Sequence, residues 1–195
     1  GPRTSSSRSE AGGSSAPRPA TSGLRPAPSP RLTESLAEAV ARAAELTDER
    51  ALADLRRSVD DELEAAARSR DYRERALAYR AIGQLRFNQK TELLRRGLED
   101  VSPAARGSAL LSLELLSRTH PGVVNAVRGT LHALANEDPN QAVRRLAILA
   151  LKNGSPQQDT LTLLAHLAAE SDDRDLQASA ASVHAALKKK AAARA

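Results

Sequence analysis

Asp138-Pro139-Asn140-Gln141-Ala142-Val143-Arg144-Arg145-Leu146-Ala147-Ile148-Leu149-Ala150-Leu151 is the stretch that decides the fold. Slid back by 38 residues, Asp138 falls on Asp100, Arg144 on Arg106, Ala147 on Ala109 and Leu151 on Leu113. A further step of 31 puts Arg106 on Arg75, Ala109 on Ala78 and Leu113 on Ile82. Forward by 33, Ala147 falls on Ala180 and Ala150 on Val183, while Arg144 meets Gln177. The unit is a helix pair of 31 to 38 residues seen about four times, and self-similarity at such a period marks a stacked array. Small residues at 78, 109, 147 and 180 let helices approach closely. Larger ones at 82, 113 and 151 fill the space between layers. Each pair alone leaves an apolar face open, which stacking covers.

The punctuation around this stretch is helical. Ser102-Pro103, Asp138-Pro139 and Ser155-Pro156 each read as an N-cap followed by proline at the first helical position. Asp71, Asn88 and Pro121 open further helices, Asp172 or Asp173 starts the last one, and Gly154 reads as a left-handed C-cap. Upstream, Thr33 caps a helix to about Leu46, and Thr47-Asp48-Glu49 starts another. Leu52, Leu55, Val59 and Leu63 form one apolar stripe along that second helix. Short loops make consecutive helices antiparallel neighbours.

Composition agrees. The 195 residues contain no Cys, Trp or Met, one Phe and two Tyr, and are dominated by helix formers. Without Cys there is neither a disulfide framework nor a thiolate metal site. The missing Met predicts an excised or processed piece, with Gly1-Pro2 a scar of tag removal. No stretch is long and uncharged enough for a membrane span, and the expected location is cytoplasmic. Residues 1–30 are crowded with Ser, Pro and Gly and are expected to be a disordered linker. Residues 31–187 are the repeat domain, and 188–195 a basic C-terminal tail. Of the net charge of +5, the first 30 residues hold +3 and the tail +4, which leaves −2 for the domain.

The Asp-Pro, Val-Arg, Ala and Ala-Leu pattern of Asp138-Pro139, Val143-Arg144, Ala147 and Ala150-Leu151 resembles the second helix of a HEAT repeat, an armadillo-like helical unit. Residues around Asp100, Arg106, Ala109 and Leu113 match well, and those around Arg75 and Gln177 in part. The resemblance covers about residues 49–187. It implies an all-α, right-handed α-solenoid of about four HEAT-like hairpins, with residues 33–46 as an N-terminal capping helix. It also implies that Arg75, Asp100, Arg106, Asp138 and Arg144 are structural, a hydrogen-bonded ladder between neighbouring layers. Gln177, and the shift of Asp71 relative to Arg75, leave that ladder incomplete at both ends.

Nothing in the chain points to catalysis. The four histidines, 120, 132, 166 and 184, contain no pair at helical metal spacing. His132 and His166 lie 34 apart on successive first helices and are expected to be exposed. Carboxylates fall at helix starts or in pairs such as Glu92 with Arg96. There is no phosphate loop and no nucleophile elbow. We therefore expect no enzyme and no cofactor.

The expected function is a protein-interaction scaffold or adaptor that docks a partner helix or peptide on the concave second-helix face. Tyr79, Leu110 and Ile148 flank that face. Either they pack between repeats, or they form a groove rimmed by Arg145 and Lys152. Nucleic-acid binding through Arg95, Arg96, Arg128, Lys188, Lys189 and Lys190 is the second reading. Self-association through a terminal repeat is a third.

Overall fold

The computed structural model describes the backbone of residues 30–195 and the side chains from residue 35 onward. The expected linker, 1–30, lies outside these residues except for Pro30. The described chain is all-helical: α1 (Pro30–Ala43), α2 (Glu49–Ala67), α3 (Tyr72–Gln84), α4 (Thr91–Gly97, after a 3-10 turn at Asn88–Lys90), α5 (Pro103–Ser117), α6 (Gly122–Asn125), α7 (Arg128–Glu137), α8 (Gln141–Leu151), α9 (Gln158–Glu170) and α10 (Arg174–Arg194). The stripe Leu52, Leu55, Val59 and Leu63 is the buried face of α2.

One turn chemistry recurs before α3, α5, α8 and α10. Asp71, Ser102, Asn140 and Asp173 cap these helices, each accepting from a backbone N–H of the first turn. Two residues before each cap, Ser69, Asp100, Asp138 and Ser171 accept from the cap's own N–H at 3.1, 2.9, 2.9 and 3.3 Å. Each chain entry is thus fixed by two short polar side chains. The pattern also corrects two expected caps. Asp138 closes α7 rather than opening α8, whose cap is Asn140. Ser155-Pro156 precedes an α9 that starts at Gln158 without a side-chain cap.

α3, α5, α8 and α10 pack side by side as neighbours. Their N-terminal ends meet through Arg75 with Asp100, Arg106 with Asp138, and Arg145 with Asp175. The far ends meet too: Asn153, just past α8, donates to Ser117 Oγ at 3.0 Å, and Lys190 reaches the end of α8. The four helices are therefore parallel. α2, α4, α7 and α9 cover them on the other side, and a single apolar core runs through all of them.

The tightest crossing joins α3 to α5. The buried Ser112 hydroxyl donates to Tyr79 O and accepts from Gly83 N at 2.9 Å. Those two groups stand four residues apart in α3, so Ser112 bridges one rung of its hydrogen-bond ladder.

Gly154 is not a left-handed cap, since no described glycine has positive φ. Its lack of a side chain is needed for close approach, because a Cβ there would lie 2.9 Å from Val124 Cγ1. The left-handed residue among those described is Arg86, at φ 54°. It closes α3 in a Schellman turn, with Phe87 N on Ile82 O at 2.9 Å and Arg86 N on Gly83 O at 3.1 Å. Glycine is the residue that takes this conformation without strain. Arg86→Gly should stabilise the chain by about 1 kcal/mol, seen as a higher urea midpoint at unchanged slope. A lower midpoint would mean that the Arg86 side chain holds the turn.

The last helix differs from expectation at its end. Where a basic tail was expected from residue 188, α10 runs on to Arg194, so 188–194 are its final turns rather than a tail after it.

Candidate functional site

The groove-lining set does not form a groove. Tyr79 is 4% exposed, and Leu110 and Ile148 are 0% exposed. They belong to the core, because a helix packed between two neighbours in its layer and covered on one face buries its flanks as well as its inner stripe. What the second-helix layer shows to solvent lies one position further round. The equivalent residues Arg80, Leu111, Leu149 and Ser182, one from each of the four helices, form a row that is exposed or half-buried. Leu149, at 36%, is one of three exposed large apolar side chains among the described residues. Leu111 and Leu115 share a depression of about 130 Å³ with Arg80, Gln84 and Arg118. Arg145 and Lys152 stand exposed beside Leu149, where the rim was expected.

The expected ladder residues divide into two groups. Arg75 donates two hydrogen bonds to Asp100, at 2.8 and 2.9 Å, and Arg106 donates two to Asp138, at 2.8 and 3.0 Å. Both pairs are mostly buried and bidentate, the geometry in which an ion pair fixes orientation. Burial works against ionisation of Asp100. Arg75 and the Ser102 N–H outweigh it, and the carboxyl lies below its usual range. Arg144, by contrast, meets no carboxylate: it donates to Ala135 O at 2.9 Å, closing α7. The physical reason is in the sequence. The position that holds Asp100 and Asp138 in the two inner turns is Ser171 in the next, and a hydroxyl cannot form the fork. At the other end the equivalent position is Ser69, two residues before Asp71.

The nucleic-acid set is scattered. Arg128 is 8% exposed. It donates to Ser155 O, Thr160 Oγ1 and Asn125 Oδ1 at 2.9, 3.2 and 2.5 Å, tying α7 to α9. Lys190 donates to Lys152 O at 3.3 Å and Gly154 O at 3.0 Å, and burial pushes its ammonium pKa down. Arg95 pairs with Glu92 on α4, on the opposite layer from Lys188 and Lys189. Arg128 and Lys190 are thus structural, and the rest do not share one face.

His132 corrects the expectation of exposure, whereas His166 is exposed as expected. His132 is half-buried, with Nε2 2.8 Å from the buried Thr160 Oγ1. Arg128 also donates to that oxygen, so the two basic side chains share one hydroxyl, which can give its hydrogen to Nε2 of the neutral imidazole. Burial, with Arg128 adding to it against Asp159, lowers the imidazole pKa. The folded value lies below the unfolded value of about 6.5, so the stabilisation is complete above that pH and is lost as pH falls through the folded value. Urea unfolding between pH 7 and 5 should show stability falling with acid, and His132→Gln should flatten that slope. An unchanged slope in the variant would remove His132 from the account.

Charge is divided between the layers, although four of the cations, Lys188, Lys189, Lys190 and Arg194, lie beyond the near-neutral residues 31–187. α5, α8 and α10, with the residues that close them, hold ten Arg and Lys against two carboxylates, Glu114 and Asp175. Both carboxylates are paired within the layer, with Arg118 and Arg145. α2, α4, α7 and α9, counted in the same way with the residues that close them, hold seven Arg and Lys against eleven carboxylates. Helix polarity accounts for part of this. Parallel helices place their C-terminal carbonyls along one edge, and cations there complement the dipoles. Arg56, for example, donates to Leu85 O at the end of α3. It lines a cleft of about 850 Å³ where α1, α3 and α5 end, together with Arg86 and Arg118.

Among the described residues no group of His, Asp and Glu could hold a metal ion, and no helix is long and apolar enough to cross a membrane. No protein-family model matches the chain, and no curated protein is significantly similar to it.

Proposed function

We propose that the chain is a non-catalytic interaction module, a right-handed solenoid of about four HEAT-like hairpins closed by α1, and that it docks a partner protein on the exposed face of α3, α5, α8 and α10. The observation that carries this reading is Leu149, an exposed leucine in a row with Leu111 and bordered by the exposed cations Arg145 and Lys152. The recurring entry turns before the four helices support the repeat reading. So do the two bidentate Arg–Asp pairs between successive units.

Affinity capture from the native cell tests it. The intact protein, a Leu149→Asp, Lys152→Glu variant, and a Thr162→Lys control on α9 would be compared. All three sites are exposed, so folding should be preserved. Partners retained by the control and lost by the double variant are the expected result. The same set of partners on all three proteins would overturn the reading.

A further inference from the structure

We propose that the partner segment is an acidic amphipathic helix, with its apolar side on Leu111 and Leu149 and its carboxylates on Arg80 and along the edge formed by Lys152, Lys188 and Lys189. This rests on the reading of that face as the docking surface and adds the chemistry of the occupant.

The first support is the order of side chains across the face. Leucines occupy its middle. Lys152, Lys188 and Lys189 stand at one edge, where α8 ends beside the last turns of α10, and Arg80 stands in the row itself, at the position equivalent to Leu111 and Leu149. Lys190 beside Lys152 shows that this edge is continuous from α8 to α10. The depression shared by Arg80, Leu111, Leu115 and Arg118 continues it from α3 to α5.

The second support is that these cations are not used internally. Lys190 already serves the carbonyls at the end of α8. Arg80, Lys152, Lys188 and Lys189 are exposed and form no side-chain hydrogen bond or ion pair within the described residues. A stripe of carboxylates laid along them would gain several long-range attractions at once and speed encounter.

The apolar middle separates this occupant from two others. A nucleic-acid backbone wants cations spread across its footprint, and here the centre of the footprint is leucine. A second copy of the chain would have to offer the acidic α2. That helix shows no exposed large apolar residue, and Asp54, Asp60 and Glu64 are already paired with Arg57 and Lys90.

Fluorescence-anisotropy titration of the full chain at physiological salt provides the test. The probes are a helical peptide with leucines on one face and glutamates elsewhere, the same peptide with every Glu replaced by Lys, polyglutamate, and a short DNA duplex. The Leu/Glu peptide should bind at least about tenfold more tightly than the others. Leu149→Asp, and separately Lys152→Glu with Lys189→Glu, should each cost it about tenfold, with circular dichroism unchanged. Polyglutamate binding as tightly as the Leu/Glu peptide would overturn the inference, because the leucines would then be idle. Equal binding of the Leu/Lys peptide would overturn the acidic choice and leave the docking face standing. Failure of every peptide would remove both. DNA binding best, or self-association abolished by these same substitutions, would put a different occupant on the face.

Discussion

Gly83→Ala should unfold the chain or lower its stability by about 3 kcal/mol, the upper end of what overpacking costs in a close-packed interior. A Cβ on Gly83 would lie 2.6 Å from Ser112 Oγ, 2.7 Å from Ser112 Cα and 2.9 Å from Ser112 Cβ. The second of these is backbone, so no rotamer of Ser112 relieves the clash, and α3 and α5 would have to move apart. Separation would also pull the Ser112 hydroxyl from Tyr79 O and Gly83 N. Gly107 is the control: its Cβ would meet only Leu146 Cδ1 at 3.4 Å, an ordinary contact. Gly107→Ala should therefore change stability little. Urea unfolding of the two variants measures the difference. A Gly83→Ala midpoint close to that of Gly107→Ala would mean that the crossing is loose.

Asp138→Ala should cost about 3–5 kcal/mol, the range for removing one partner of a buried ion pair. The Asp138 side chain is 3% exposed and that of Arg106 12%. The variant therefore leaves a guanidinium almost wholly out of water with only Asp100 O to accept from it. It also frees the N–H of Asn140, the cap of α8. Arg144→Ala removes a cation of the same register but breaks mainly neutral contacts, to Ala135 O and Gln141 Oε1, and should cost about 1 kcal/mol. Equal losses in the two variants would contradict the division of the expected ladder into paired and unpaired members. At low pH the neighbouring Arg75–Asp100 pair should be lost, because it needs an ionised carboxylate. Asp100, held below its ordinary pKa by Arg75, contributes stability above the unfolded value that is lost as pH falls through the folded one.

Helix positions were legible because proline, short polar caps and leucine spacing are local signals. Arg106 and Asp138 were legible as structural residues because their pattern resembles that of a HEAT repeat, which implies a ladder between layers; which Arg would meet which Asp was not legible. Ser69 and Ser171 were not. Their role appears only once each is seen to accept from the N–H of the next cap, as Asp100 and Asp138 do, and comparing Asp71 with Asp100 hid the equivalence. Ser112 carried no pattern at all, since a serine inside a leucine-rich helix gives no sign that it will meet the backbone of another helix. The groove alternative failed for a rotational reason. Tyr79, Leu110 and Ile148 lie a fraction of a turn from Arg80, Leu111 and Leu149, and helical periodicity alone cannot say how far packing between neighbours wraps round a helix. Summing charge by segment likewise hid the separation of sign between the layers, because residues 31–187 contain helices of both.

Site-specific photo-crosslinking in the native cell tests the docking face most directly. A photoreactive side chain would be placed at Leu149 in one variant and at Thr162 on α9 in another, both exposed positions. A crosslinked partner protein from position 149, weakened when Lys152 and Lys189 are changed to Glu, and none from position 162, is the expected result. Crosslinks from position 162 and none from position 149 would contradict it.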